Sequence, residues 1–187
     1  MRLFTAIDLP TQILLRLERL LSALRPEALI HWSPLDNLHI TTKFIGSWPD
    51  SRFEELSSAL GVLAPRDPFE IELKSLGWFP NPRAPRTFWI GVHGDGLHRL
   101  ARDTEERLEP LGIQRETREF SPHLTLARIK TPVPLRRLMA TVEEMEPAAL
   151  GHFTASSFTL YRSDPGSNAS IYRKLREYRF ESAVAAS

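Results

Sequence analysis

Twice in this chain a stripe of leucines at helical spacing is followed by a short run with strand character, in which histidine and threonine stand two residues apart. Leu14, Leu15, Leu17, Leu20, Leu21 and Leu24 predict an amphipathic helix over residues 11–24, with Thr11 as its N-cap after Pro10. "LHITTKFIG", residues 38–46, follows it. Leu97, Leu100, Ala101, Thr104, Leu108 and Leu111 hold the same period over residues 97–111, Gly112 supplies a stop, and "PHLTLARI", residues 122–129, comes next. Side chains alternate faces along a strand, so His39 and Thr41 share one face and His123 and Thr125 share another, about 6 to 7 Å apart along each strand. This rhythm predicts two halves that each bring one motif to a shared centre.

The remaining periodicities fill in a mixed α and β chain. In "RLFTAID", Leu3, Thr5 and Ile7 alternate with Arg2, Phe4, Ala6 and Asp8, a strand mostly buried on both faces. Further helices are predicted over residues 51–63 and 135–146, and strands over 69–79, 85–93, 123–129, 153–163 and 170–180. "FPNPRAPRTFWIGV" reads as a strand, a proline-rich loop and a returning strand, with Arg83 and Arg86 at the tip. Residues 181–187 read as a frayed tail on one domain spanning 1–187.

Composition narrows the chemistry. At 187 residues the chain can build one well-buried core, and its 42% hydrophobic share is too high for disorder. There is no cysteine, which excludes disulfides, thiolate nucleophiles and thiolate metal sites. With 24 basic and 23 acidic residues the molecule does not bind nucleic acid through bulk charge, so a charged ligand must be held locally. No apolar run approaches the roughly 18 to 20 residues of a membrane span, and Asp8 and Pro10 interrupt what a signal peptide would keep apolar. A cytoplasmic monomer with no membrane partner is expected.

The paired motifs, as "HITT" and "HLTL", resemble the signature of the two-histidine phosphoesterases. Over most of its length the chain is similar to the RNA 2',3'-cyclic phosphodiesterase family, historically called 2'-5' RNA ligase or LigT-like. "RLFTAIDLP", "NLHITTKFIGSW", "PRTFWIGV", "FSPHLTLARI" and "FTLYRSDPGSNASIYRKL" carry the resemblance, and Thr42 departs from it where an aliphatic residue is commoner. The resemblance implies an α+β, bilobal, pseudo-symmetric fold with an antiparallel sheet in each lobe, helices outside and a central active-site groove. It implies hydrolysis of RNA 2',3'-cyclic phosphate ends to 2'-phosphomonoesters, on transfer-RNA fragments, oligonucleotide ends or nucleotides. It also implies the direction: His39 as proton donor to the leaving O3' and His123 as proton acceptor from water.

The residue types suit that chemistry. Imidazole, with an ordinary pKa of about 6.5, serves as acid or base near neutral pH. Thr41 and Thr125 can donate hydroxyl hydrogen bonds to non-bridging phosphate oxygens. With protons handled by histidines and charge by hydroxyls and cations, neither metal nor cofactor is called for. Lys43 shares the predicted face of His39 and Thr41. Arg128 ends the second motif, yet strict alternation aims it away from His123 unless a bulge intervenes. Arg83, Arg86, Arg115, Arg118 and Lys130 could line an RNA path, with Phe120, Trp32 or Tyr161 stacking a base.

Other readings stand beside this one. The same acid and base could join a 2',3'-cyclic end to a 5'-hydroxyl through a 2'-5' bond, or the chain could be a module that binds RNA ends or nucleotides without turnover. A single strand histidine is ordinarily a hydrogen-bonded structural residue, and His31, His93, His98 and His152, which lack the matched frame, are read that way. Threonines are good strand formers in their own right. Surface arginines are ordinarily solvated.

Overall fold

The computed structural model describes residues 1–145 and 149–182. β1 (Arg2–Ile7) alternates as its sequence predicts: Leu3 and Ile7 enter the main core, while Phe4 and Ala6 join Tyr161 in a small second cluster on the opposite face. Within its sheet β1 lies between β3 (Ile40–Ser47) and β8 (Ser157–Asp164), with β9 (Ile171–Arg179) outermost. The second sheet runs β2 (His31–Trp32), β6 (His123–Arg128), β5 (Thr87–His93), β4 (Phe69–Phe79) and β7 (Ala149–Ala155). Every strand pair in both sheets is antiparallel.

Four α-helices cover these sheets among the described residues: α1 (Thr11–Leu24), α2 (Phe53–Gly61), α3 (Asp95–Leu108) and α4 (Arg136–Glu144). The leucine stripes face inward, with Leu17, Leu21, Leu24, Leu97, Leu100 and Leu108 fully buried. The helices cross between the halves. α1 leaves the first sheet after β1 and packs on β7 of the second; α3 leaves the second sheet after β5 and packs on β3 of the first while also touching β4. The α+β architecture with an antiparallel sheet in each half agrees with the expectation.

Several local expectations need correction. Thr11 is the first helical residue of α1 and not its cap: Pro10 takes the N-cap position without a side-chain hydrogen bond, and its carbonyl accepts from the amides of Ile13 and Leu14. The run 153–163, predicted as one strand, is two. The chain changes sheet at Ser156, so β7 pairs with β4 while β8 pairs with β1 and β9. No glycine or proline marks that break, and Ser156 holds it through its carbonyl, which accepts from the Phe180 amide at 2.8 Å. The two-residue β2 is too short to leave a period. α3 ends in a 3-10 turn over Glu109–Leu111, with Gly112 at φ +90 beyond it. Residue 146 of the predicted fourth helix lies outside the described residues, as do residues 183–187 of the predicted tail; Glu181 donates its amide to the Ala64 carbonyl at 3.2 Å.

The proline-rich hairpin forms between β4 and β5, its tip turned by Asn81, whose side-chain oxygen accepts from the amides of Arg83 and Ala84 at 2.9 and 3.1 Å. No helix among the described residues is long and apolar enough to cross a membrane. Phe88, fully buried, stacks on Trp78 at 4.4 Å and meets the edge of Trp32. Phe88→Ala should therefore lower unfolding stability by about 3 to 5 kcal/mol, measured by urea denaturation.

Candidate active site

Each motif strand carries a β-bulge directly after its threonine. In β3, Thr41 pairs with Ala6 and Lys43 with Thr5, so Thr42 is the extra residue. In β6, Thr125 pairs with Trp89 and Ala127 with Phe88, so Leu126 is the extra residue. One inserted residue shifts the alternation by one, and the two residues after each threonine are both buried: Thr42 and Lys43 in one strand, Leu126 and Ala127 in the other. The fifth residue after each histidine then returns to the motif face. These are Phe44, opposite Phe4, and Arg128, opposite Thr87.

Both cation expectations turn on this. Lys43 does not lie beside Thr41: it points to the α3 side, where its ammonium donates to Glu105 Oε2 and to the Gln114 carbonyl, each at 2.8 Å. Arg128 is exposed and comes back to the His123 face. Thr42 also finds its reason, because its hydroxyl hydrogen-bonds that of buried Thr5 at 2.7 Å, a partner an aliphatic residue would leave unsatisfied.

His39 sits immediately before β3 against an aromatic wall. Tyr161 lies 4.5 Å from it, Tyr172 5.8 Å and Phe4 6.5 Å, centroid to centroid. Its side chain is 11% exposed, and its Nε2 lies 3.8 Å from Asp8 Oδ1. Nδ1 is buried and has no hydrogen-bond partner, and the Asn37 backbone acts on the ring in the direction of its charged form. Burial pulls the His39 imidazole below the ordinary histidine value and outweighs the Asp8 carboxylate, which pushes the other way; Lys174 adds to the depression.

Asp8 is the hub of this half. Tyr161 donates its hydroxyl to Oδ1, while Thr159 at 3.1 Å and Lys174 at 2.6 Å donate to Oδ2. Burial works to raise the Asp8 carboxyl, but the hydrogen bonds from Lys174 and Tyr161 overcome it and hold the group below the usual carboxylate range. The same burial and the Asp8 contact push the Tyr161 hydroxyl far up, so it stays protonated as a donor. Lys174 and Tyr172 share one face of β9 by alternation. Sequence reasoning did not single out Asp8, Thr159, Tyr172 or Lys174; the visible signal was Asp8 ending the Arg2, Phe4, Ala6 face of the first strand.

In the second half, His123 Nδ1 lies 2.8 Å from the Ser121 carbonyl. A carbonyl can only accept, so Nδ1 carries the hydrogen and the neutral ring offers its Nε2 lone pair. The edge of Phe79 packs on this imidazole at 5.2 Å. Trp89, beside Thr125, lies flat over Gly77, where a β-carbon would come within 2.2 Å of the indole. Glycine there lets the sheet floor close. Ser33, just beyond β2, continues the pairing of β2 with β6: its hydroxyl donates to the Thr125 carbonyl and its amide to the Leu126 carbonyl, both at 2.8 Å. β3 and β6 touch across the two sheets.

The other candidates scatter. Trp32 donates its indole N–H to the Ala28 carbonyl and packs on Phe88, away from the motif face. Phe120 packs edge-on against His98 at 5.3 Å. Tyr161 is 2% exposed and stacked on Phe4, so its ring is not open to a base. Arg115 pairs with Glu109, and Arg83, Arg86, Arg118 and Lys130 are exposed. Among the described residues no three His, Asp or Glu side chains gather as metal ligands.

A family model described as the 2'-5' RNA ligase superfamily matches residues 10–167. The chain is 33% identical over 178 residues to the RNA 2',3'-cyclic phosphodiesterase of Methanocaldococcus jannaschii, covering 95% of this chain and 100% of that protein. It is 36% identical over 150 residues to the protein of the same name in Aeropyrum pernix, covering 79% and 85%. Among crystal structures, a Thermus thermophilus protein superimposes with a TM-score of 0.85 at 28% identity, covering 98% of this chain and 100% of that one. Escherichia coli LigT complexed with 3'-AMP superimposes with a TM-score of 0.77 at 26% identity, covering 96% and 97%.

The buried Lys43–Glu105 pair yields a test that separates structure from chemistry. Glu105→Ala leaves a buried ammonium short of its counter-charge and should cost about 3 kcal/mol in urea denaturation, while kcat of the folded variant stays near that of the parent.

Proposed function

This chain belongs to the 2'-5' RNA ligase superfamily, and from that premise we propose that it hydrolyses RNA 2',3'-cyclic phosphate ends to 2'-phosphomonoesters without a metal ion. The observation that carries the reading is the matched pair of His-x-Thr frames, each closed by a bulge, on two strands that touch. The curated relatives named RNA 2',3'-cyclic phosphodiesterase support the substrate class.

In this reaction water attacks phosphorus, the P–O3' bond breaks, one proton leaves water and another reaches O3'. His123 is the base, since its Nδ1 is committed to Ser121 and its Nε2 lone pair is free for the water proton. His39, with Asp8 beside its Nε2, is the acid that protonates O3'. Thr41 and Thr125 hold the non-bridging oxygens, where hydroxyl donors act on the charge that moves in the transition state. Arg128 supplies the cation on the His123 side, and Lys43 takes no part.

A test uses an oligoribonucleotide with a 2',3'-cyclic end and an equal amount of 5'-hydroxyl RNA, in excess EDTA, followed by phosphorus NMR. The expected product is the 2'-phosphate; an unchanged end overturns the proposal, and a joined 2'-5' product assigns ligation instead. His123→Ala and His39→Ala should each lower kcat by roughly 10²-fold or more.

The pH dependence has a definite sign. His39 must be charged when it donates, so kcat/KM falls on the alkaline side as that imidazole loses its proton. Because burial holds His39 below its ordinary value of about 6.5, its charged form is already the minor one at pH 7, and kcat/KM should fall about tenfold per pH unit once both imidazoles are neutral.

A further inference from the structure

The acid assigned to His39 faces a difficulty that its surroundings pose and answer. An imidazole acting as general acid must be charged before it reacts, yet this one is enclosed by Phe4, Tyr161 and Tyr172, an apolar wall that favours the neutral ring. The groups that bear on it are few: Asp8 from the end of β1, with the Tyr161 hydroxyl of β8 bound to it, Lys174 from β9, and the Asn37 backbone and Asp36 from the turn before it. Of these only Asp8 places an anion near the reacting nitrogen, at 3.8 Å from Nε2.

That carboxylate is itself fixed. Tyr161 holds Oδ1, and Thr159 and Lys174 hold Oδ2, so three donors from two neighbouring strands set its position and keep it ionised. Asp8 approaches the nitrogen that must deliver the proton and not Nδ1, so it differs from the orienting carboxylate of a catalytic triad, which grips the far nitrogen. It acts instead as a counter-ion.

We propose that Asp8 is the positioning residue for proton donation, holding the proton on His39 Nε2 until the leaving ribose oxygen takes it. The inference rests on the reading of the chain as a cyclic phosphodiesterase. When the P–O3' bond breaks, the proton passes from Nε2 to O3', His39 becomes neutral, and the water proton resides on His123; solvent then returns one proton to His39 and removes one from His123. Lys174 opposes Asp8 in this arrangement. Its ammonium balances the carboxylate and so limits how strongly Asp8 retains the proton.

The two residues should therefore act with opposite sign on one observable, the titration midpoint of His39 followed by the NMR shift of its ring Cε1 proton. Asp8→Asn should lower the midpoint by about one unit or more, and Lys174→Met should raise it. In Asp8→Asn the magnitude of kcat/KM on the alkaline limb should fall with the midpoint, about tenfold per unit. Asp8→Glu should recover part of the loss.

An unmoved midpoint in Asp8→Asn, or shifts of the same sign in both variants, overturns the inference. Should Asp8→Asn fail to fold, Lys174→Met carries the test, since Lys174 is 62% exposed, and an unmoved midpoint there overturns it equally. Failure of the underlying reading shows differently: wild-type protein would leave the cyclic end intact whatever the titration gives.

Discussion

A β-strand has a period of two, so a single extra residue reverses the facing of everything beyond it. Thr42 and Leu126 are such residues, and the character of both motif strands depends on them. Each strand must turn histidine and threonine to one side and still bury the next two residues in the core. Without the bulge, Lys43 would stand in the open beside Thr41, Phe44 would enter the core, and Arg128 would be driven into the side now filled by Leu124 and Leu126. The bulges let one short strand serve a polar face and an apolar face in turn.

The symmetry they create is one of backbone and not of side chains. His39 and His123 open each frame, and Thr41 and Thr125 follow in the same register, but the returning residue is exposed aromatic Phe44 on one side and Arg128 on the other. The imidazoles differ as much. One is walled by rings and watched by a carboxylate; the other rests on a backbone carbonyl with its outer nitrogen uncommitted. Two equivalent frames thus hold two inequivalent proton sites, which a reaction with distinct donor and acceptor requires.

Much of this was legible beforehand. The leucine stripes became α1 and α3, the double alternation of residues 2–8 became a strand buried on both faces, and the proline-rich segment became a hairpin tip. These are local periodicities, and local physics decides them. What was not legible depends on contacts far apart in the chain. Nothing near Ser156 announces a change of sheet, and nothing in "HITTKF" reveals that Thr42 will pair with Thr5 or Lys43 with Glu105. Asp8 looked like the last residue of a strand. Its place in the site exists only because Thr159, Tyr161 and Lys174 arrive from residues more than a hundred positions later.

That last dependence bears on the life of the chain during synthesis. β8, from the final fifth of the sequence, is inserted between β1 and β9 at the middle of the first sheet, and α1 and α3 each cover the sheet the other's strand belongs to. An emerging polypeptide that already carries His39 and even His123 still lacks one neighbour of β1, the donors to Asp8 and two of the three rings around the imidazole. Pairing of such distant segments waits until β8 and β9 have been made. A ribosome-bound fragment that stops short of β8 is therefore a chain with both histidines and no assembled site, and the order of synthesis itself keeps the two apart in time.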